Sequence, residues 1–165
     1  MKIELTDKER LFLANQHEIL SHLDTDNSDY HLKLAEQLRD GHKWLYSQSF
    51  DNLSENLPDD AAELVLNILQ IYEMIQDAYD GLSDKSQISE HQIKFPGFDG
   101  NNETEFMGFV DALEKSHRFT DVIQNGHRNS HSAKVHVYER MIAKWESLGR
   151  PMPLTKEQLL EILAP

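Results

Sequence analysis

The sequence predicts an all-α protein, an N-terminal helical hairpin packed on a larger multi-helix bundle with little or no sheet. Three observations carry that expectation. Apolar residues recur three and four apart through most of the chain, the period of a helix with one inward face. Two tetrads, Thr6 to Glu9 and Thr155 to Gln158, have the form of capping boxes that satisfy the first free amides of a helix. The one segment of extended character, Gln92 to Phe95, has no second strand to pair with.

The first helix starts at Thr6 and runs to about Leu23. Leu5, Phe12, Ile19 and Leu23, flanked by Leu13 and Leu20, fall into one stripe, which reads as its inward face. Gln16 lies in the middle of that stripe. An amide placed there must find hydrogen-bond partners or cost roughly 1–3 kcal/mol, so it reads as a structural group or a ligand contact. "DTDNSD", from Asp24 to Asp29, is a polar turn. It lacks the glycine and the terminal glutamate of a calcium loop. A second helix then runs to Asp40, with Tyr30, Leu34 and Leu38 inward and Gly41 at the position where a left-handed residue ends helices. Two helices joined by a short turn make an antiparallel hairpin. The signal weakens from His42 to Asn56, where Trp44, Leu45 and Phe50 suit a short covering helix. The chain therefore divides into residues 1–55, the hairpin and short helix, and residues 56–165, a C-terminal helical bundle.

Pro58 with Asp59 and Asp60 opens the most hydrophobic helix, Ala61 to Asp80, which Gly81 ends. Its apolar arc of Leu64, Val65, Ile68, Leu69, Ile71, Tyr72, Ile75 and Tyr79 covers more than half the wheel. A helix this apolar is central to its domain or is buried by a second subunit. Ser83 to Asn102 is a loop broken by Pro96, Gly97 and Gly100, in which Phe95 and Phe98 anchor a turn and Asp99 or an asparagine caps the next helix. Asn102 with Glu105 resembles a capping box for a helix bearing Phe106, Met107, Phe109, Val110 and Leu113. From about Ala133 another helix sets Tyr138, Met141, Ile142 and Trp145 on one face, and the run from Gly149 to Pro153 breaks it. Leu154 then staples against Leu159 in the last helix.

Composition narrows the function. The 165 residues contain no cysteine, which removes disulfides, thiolate metal sites and cysteine nucleophiles. Acidic residues number 29 against 16 basic, a formal net charge of −13. Such a surface repels phosphate backbones and anionic lipids, which makes nucleic acid an unfavourable partner. The opening residues, MKIELTDKER, carry charge where a signal peptide needs an apolar core, and no apolar run approaches membrane-spanning length. The expectation is a cytoplasmic protein with no membrane attachment.

Little in the chain resembles reaction machinery. "NGHRNSHSAKVH", Asn125 to His136, sets His127 and His131 four apart, the spacing of a helical metal pair. The motif that binds zinc for catalysis is H-E-x-x-H, and here the sequence is H-R-N-S-H among residues that favour a turn. It reads as a polar connector, and neither a metal nor a cofactor is expected. Glu63, Gln70 and Asp77 line one helix face, yet the E-x-x-H of di-iron bundles is missing. No G-x-S-x-G elbow or phosphate-cradling glycine loop occurs.

Four stretches, "LFLANQHEIL", "GFDGNNETEFMGFVDAL", "RFT" at Arg118 to Thr120 and "YERMIAKW", resemble the YfbU family of uncharacterised bacterial proteins nearly end to end. The resemblance implies a helical hairpin plus a larger helical part, self-association and no established enzymatic activity. Asn15, Gln16, Gly97, Phe98, Asp99, Arg118, Phe119, Thr120 and His127 fall at positions that look like the family pattern, whereas His131 and His136 depart from it.

The leading expectation is a non-catalytic, self-associating helical protein, a two-fold dimer, with a regulatory or protein-interaction role. Asn15, Gln16, Asp99, Arg118 and His127 are the candidates for a ligand-binding or structural polar cluster, and a rival reading gathers Gln16, Arg118 and His127 with Asp99 to serve a small-ligand enzyme or hydrolase. A further alternative is helix-turn-helix-like DNA binding through the segment from Ala133 to Leu148, which carries Lys134, Arg140 and Lys144 against Glu139 and Glu146.

Overall fold

The computed structural model describes residues 3–164. Among them are eight α-helices and no strand. The chain divides into two compact units, Met1–Asn56 and Leu57–Pro165.

The first unit is a hairpin with a short tail. α1 (Asp7–Leu23) opens on the capping box, with the Thr6 hydroxyl taking the Glu9 amide and the Glu9 carboxylate reaching back to the Thr6 amide. A 3-10 turn (Thr25–Asn27) leads into α2 (Ser28–Asp40), which stops at Gly41 in the left-handed region (φ 75°). α3 (Lys43–Ser47) and a second 3-10 turn (Gln48–Phe50) complete the tail. The core of this unit is small: Ala14, Leu34, Ala35, Leu38 and Tyr46, with Leu5, Leu13 and Phe50 half-buried around them.

The structure overturns the expected inward face of α1. Phe12, Ile19 and Leu23 are 75, 60 and 75% exposed, and Gln16 is exposed with them. The side that meets α2 carries Ala14 and Ser21 instead. Small residues two turns apart let the helix axes approach closely, and they leave the bulky stripe on the opposite side. Gln16 is therefore not a buried amide in need of partners. Tyr30 on α2 is likewise outward, as are Trp44 and Leu45 on α3, where Tyr46 supplies the buried ring.

The second unit is built on α4 (Asp59–Gly81), whose Val65, Ile68, Leu69, Ile71, Tyr72, Met74, Ile75 and Tyr79 are all buried. Around it lie α5 (Thr104–Lys115), α6 (Thr120–Asn125), α7 (Val135–Ser147) and α8 (Lys156–Leu163). The last starts on a complete Thr155–Gln158 capping box, with Leu154 and Leu159 both buried. As expected of an extended segment with no partner, residues Gln92 to Phe95 form no strand; the only extended pairing among the described residues is a single parallel bridge between Phe98 and Asn129. Two local expectations are corrected. α5 begins at Thr104, so the Asn102–Glu105 tetrad is not its capping box, because the Asn102 side chain is engaged by Asp99. α7 begins at Val135 rather than Ala133, held there by a side chain from another element.

Candidate functional site

The most highly built polar region of the second unit is a pair of loops, Phe95 to Glu103 and Gly126 to Lys134, laid against each other. Gly97 adopts φ 83° and presses so close that an added Cβ would lie 2.4 Å from the His127 carbonyl oxygen. The main chains then zip together. The His127 amide donates to the Phe95 carbonyl (2.7 Å), and the Ser130 amide donates to the Phe98 carbonyl (3.0 Å). The Asn129 side-chain oxygen accepts from the Gly100 and His131 amides at 3.2 and 2.8 Å.

Glu103 locks the arrangement. Its carboxylate is buried, with one oxygen accepting from the Asp99 amide (2.8 Å) and the other from the Lys134 and Val135 amides (2.9 and 3.1 Å). The last two are the free amides at the start of α7, where a negative charge also meets the positive end of the helix dipole. Tyr138, one turn into α7, donates its hydroxyl to the Gly97 carbonyl. Burial pushes that phenol well above its ordinary range, with Tyr72 and Glu103 adding to the effect. Tyr72, Phe95, Phe98 and Tyr138 pack with ring centroids 5.5 to 6.0 Å apart. This is a scaffold with its polar groups mutually satisfied. Among the described residues no buried side-chain nitrogen or oxygen lacks a partner.

The candidate residues divide between the two units. Asn15 and Gln16 belong to the first unit, where the Asn15 side-chain oxygen accepts from Arg39 (3.2 Å) and Gln16 faces outward. Asp99 is buried, and its carboxylate accepts from the Asn101 amide (3.2 Å) and from the Asn102 side chain, so it holds its own turn. Arg118 is exposed, its guanidinium 5.7 Å from the Phe119 ring centroid, between His117 and Phe119 that both have positive φ. His127 is exposed, with the His91 ring 6.1 Å away. His131 sits in the left-handed region and only His136 lies in α7, so His127 and His131 share no helix face. Within the second unit, Asp99 and His127 are brought to the same pair of loops by main-chain bonds, while their side chains serve different ends. An open groove of about 500 Å³ between α7 and α8 is lined by Arg140, Met141, Lys144, Ser147, Glu161 and Ile162, and by none of the five. Lys144, one of the cations of the helix-turn-helix alternative, pairs there with Glu161 at 3.7 Å.

Two features escaped the sequence reading. One is Glu103, hidden because two of its three partners, Lys134 and Val135, lie about thirty residues on. The other is a pair of histidines in the hairpin: the Nδ1 atoms of His17 and His31 are 2.9 Å apart, with the rings meeting edge to edge and their planes 30° apart. A signal for that pair was present, since His17 and His31 are each seven residues from Asp24, two helical turns either side of the hairpin bend.

Comparison with known proteins gives a consistent lineage. The chain is 32% identical over 167 aligned positions to UPF0304 protein MJECS11 of Methanocaldococcus jannaschii, covering 96% of this chain and 98% of that one. The family model described as the YfbU domain matches residues 3–164. With the hairpin, the G-F-D turn and the later helices all inside that span, the chain belongs to the YfbU domain family.

Proposed function

We propose that this protein is a non-catalytic, self-associating helical protein whose N-terminal hairpin carries the contact surface. The observation behind the reading is the uncovered stripe of α1. Of the ten large hydrophobic residues found exposed among the described residues, nine lie in the first unit and only Met152 in the second. Scattered single hydrophobics need no explanation, but an aligned set on one helix marks an interaction surface.

A second copy of the chain is the occupant that best suits the stripe. At the exposures found, Phe12, Ile19 and Leu23 offer on the order of 400 Å². A symmetric pair would then bury about 800 Å² from these side chains alone, and the residues flanking them carry the contact toward the roughly 1,000 Å² of a specific interface. Gln16 sits near the midpoint of the stripe. An amide both donates and accepts, so two copies of Gln16 can bond across a two-fold axis, as a single polar residue fixes register in helix pairs. Exposure of Phe12 and Ile19 on both sides of it makes the surface self-complementary in an antiparallel crossing. The role this supports is protein interaction or regulation.

The test is sedimentation velocity on the full chain across a wide concentration range, beside a Phe12→Ser, Ile19→Ser, Leu23→Ser variant. The reading expects a dimer for the natural chain and a monomer of unchanged helix content for the variant. A natural chain that is monomeric at every concentration overturns it, and so does a dimer that the variant leaves intact.

A further inference from the structure

His17 on α1 and His31 on α2 meet across the hairpin. Their Nδ1 atoms are 2.9 Å apart, and the ring centroids are 5.2 Å apart at 30°. His31 is buried and His17 half-buried. On its far side His31 directs Nε2 toward the Asp24 carboxylate at 3.5 Å, and Tyr30 lies edge-on to both rings.

A contact between two ring nitrogens at this distance has a strict proton count. One nitrogen must carry the proton and the other the lone pair. If His31 carries its proton on Nε2, facing Asp24, its bare Nδ1 accepts from the Nδ1–H of His17. A first added proton still leaves a single N–H between the two facing atoms, and the bond stays intact. One more places an N–H on both facing atoms and two positive charges side by side. That state cannot persist with the rings together.

We propose that the His17–His31 pair is a proton-operated latch on the N-terminal hairpin, holding α1 against α2 until the pair takes its second added proton and then releasing them.

The surroundings leave the pair little help in that last state. Asp24 is the carboxylate facing it, at the end of α1, and it already accepts from Asn27. Asn27 first, and His31 with it, hold the Asp24 carboxyl below its usual range. From α2 the other facing group is the Tyr30 phenol. Glu18 and Arg39 on the flank pair with each other, and Arg10 is bonded to Asp7 and to the Leu38 carbonyl. Asp26 in the 3-10 turn is exposed, and Tyr46 from α3 is buried in the small core. Burial first, and the neighbouring His31 with it, lower the His17 pKa below the ordinary histidine value. The unfolded hairpin therefore binds the proton more readily than the folded one. The stability held by the pair is complete above about pH 6.5 and is lost as pH falls through the lowered value. The proposal does not depend on self-association, because the latch lies on the side of α1 opposite the Phe12–Leu23 stripe.

The experiment tracks ring ¹⁵N shifts and amide exchange in the full-length protein from about pH 7.5 to about pH 5. The two rings should titrate as a coupled pair in separated steps. Exchange protection of Leu34, Ala35 and Leu38 should fall about tenfold or more over the lower step, while amides of α4 hold. His17→Gln can still bond to His31 but cannot take a proton, and its hairpin protection should change less than about twofold over the same range. Two rings that titrate independently would overturn the latch, and so would protection in the natural chain that does not fall with acid. The natural chain alone decides the matter if the variant fails to fold.

Discussion

α1 and α4 are both long helices rich in aliphatic residues, and they spend them in opposite ways. α4 buries eight residues, from Val65 to Tyr79, beneath four later helices. α1 buries Ala14 and Ser21 and turns Phe12, Ile19 and Leu23 to the outside. The difference lies in what each helix packs against. α4 has neighbours on several sides, so bulky residues around most of its circumference find cover. α1 packs on one helix, α2, and the best single contact is the one where small side chains allow close approach. The lesson is that amphipathicity identifies a face that wants burial without naming the partner that provides it.

That contrast can be broken at several depths. The largest effect is expected from Ile75→Ala, which deletes a fully buried side chain at the centre of the second unit. It should cost about 2–5 kcal/mol in denaturant unfolding monitored by circular dichroism. Hydrogen exchange should place the loss in α4 to α8 and leave α2 protected. If α2 loses protection equally, the two units unfold as one body and the comparison collapses.

Gly97→Ala comes next. The new methyl group would meet the His127 and Arg128 main chain in a backbone conformation at φ 83°. A loss of about 2–3 kcal/mol is expected, from steric overlap plus left-handed strain. Thermal unfolding checks it, and a loss below about 0.5 kcal/mol would mean that the two loops are not clamped.

The smallest effect sharpens the comparison instead of breaking it. Thr6→Ala and Thr155→Ala remove the same kind of cap from the first helix of one unit and the last helix of the other. Each should cost about 1 kcal/mol, since a local cap does not depend on how the helix is packed. Amide exchange in the first turns of α1 and α8 measures both.

The features legible in the sequence were local ones. The capping boxes at Thr6 and Thr155, the left-handed stop at Gly41 and the buried arc of α4 depend on residues within a turn or two of one another, and all are present in the structure. The outward turn of Phe12 depends on which helix face offered the closer fit, a property of α2 as much as of α1. Short α6 carries too few residues to show a period. Asp99, Arg118 and His127 are visible in the sequence as polar residues near glycines and turns. Their separate duties are not, because these are set by main-chain bonds and by Glu103, whose partners at Lys134 and Val135 lie far along the chain.

The Glu103 carboxylate has a consequence for how the second unit comes apart. One side chain ends the first loop, caps the start of α7 and holds the turn at Asp99, so these three pieces stand or fall as a group. A protease that nicked the chain near Ser132 would also loosen the distant Asp99 turn, about thirty residues earlier in the chain. Damage there travels through a single acid.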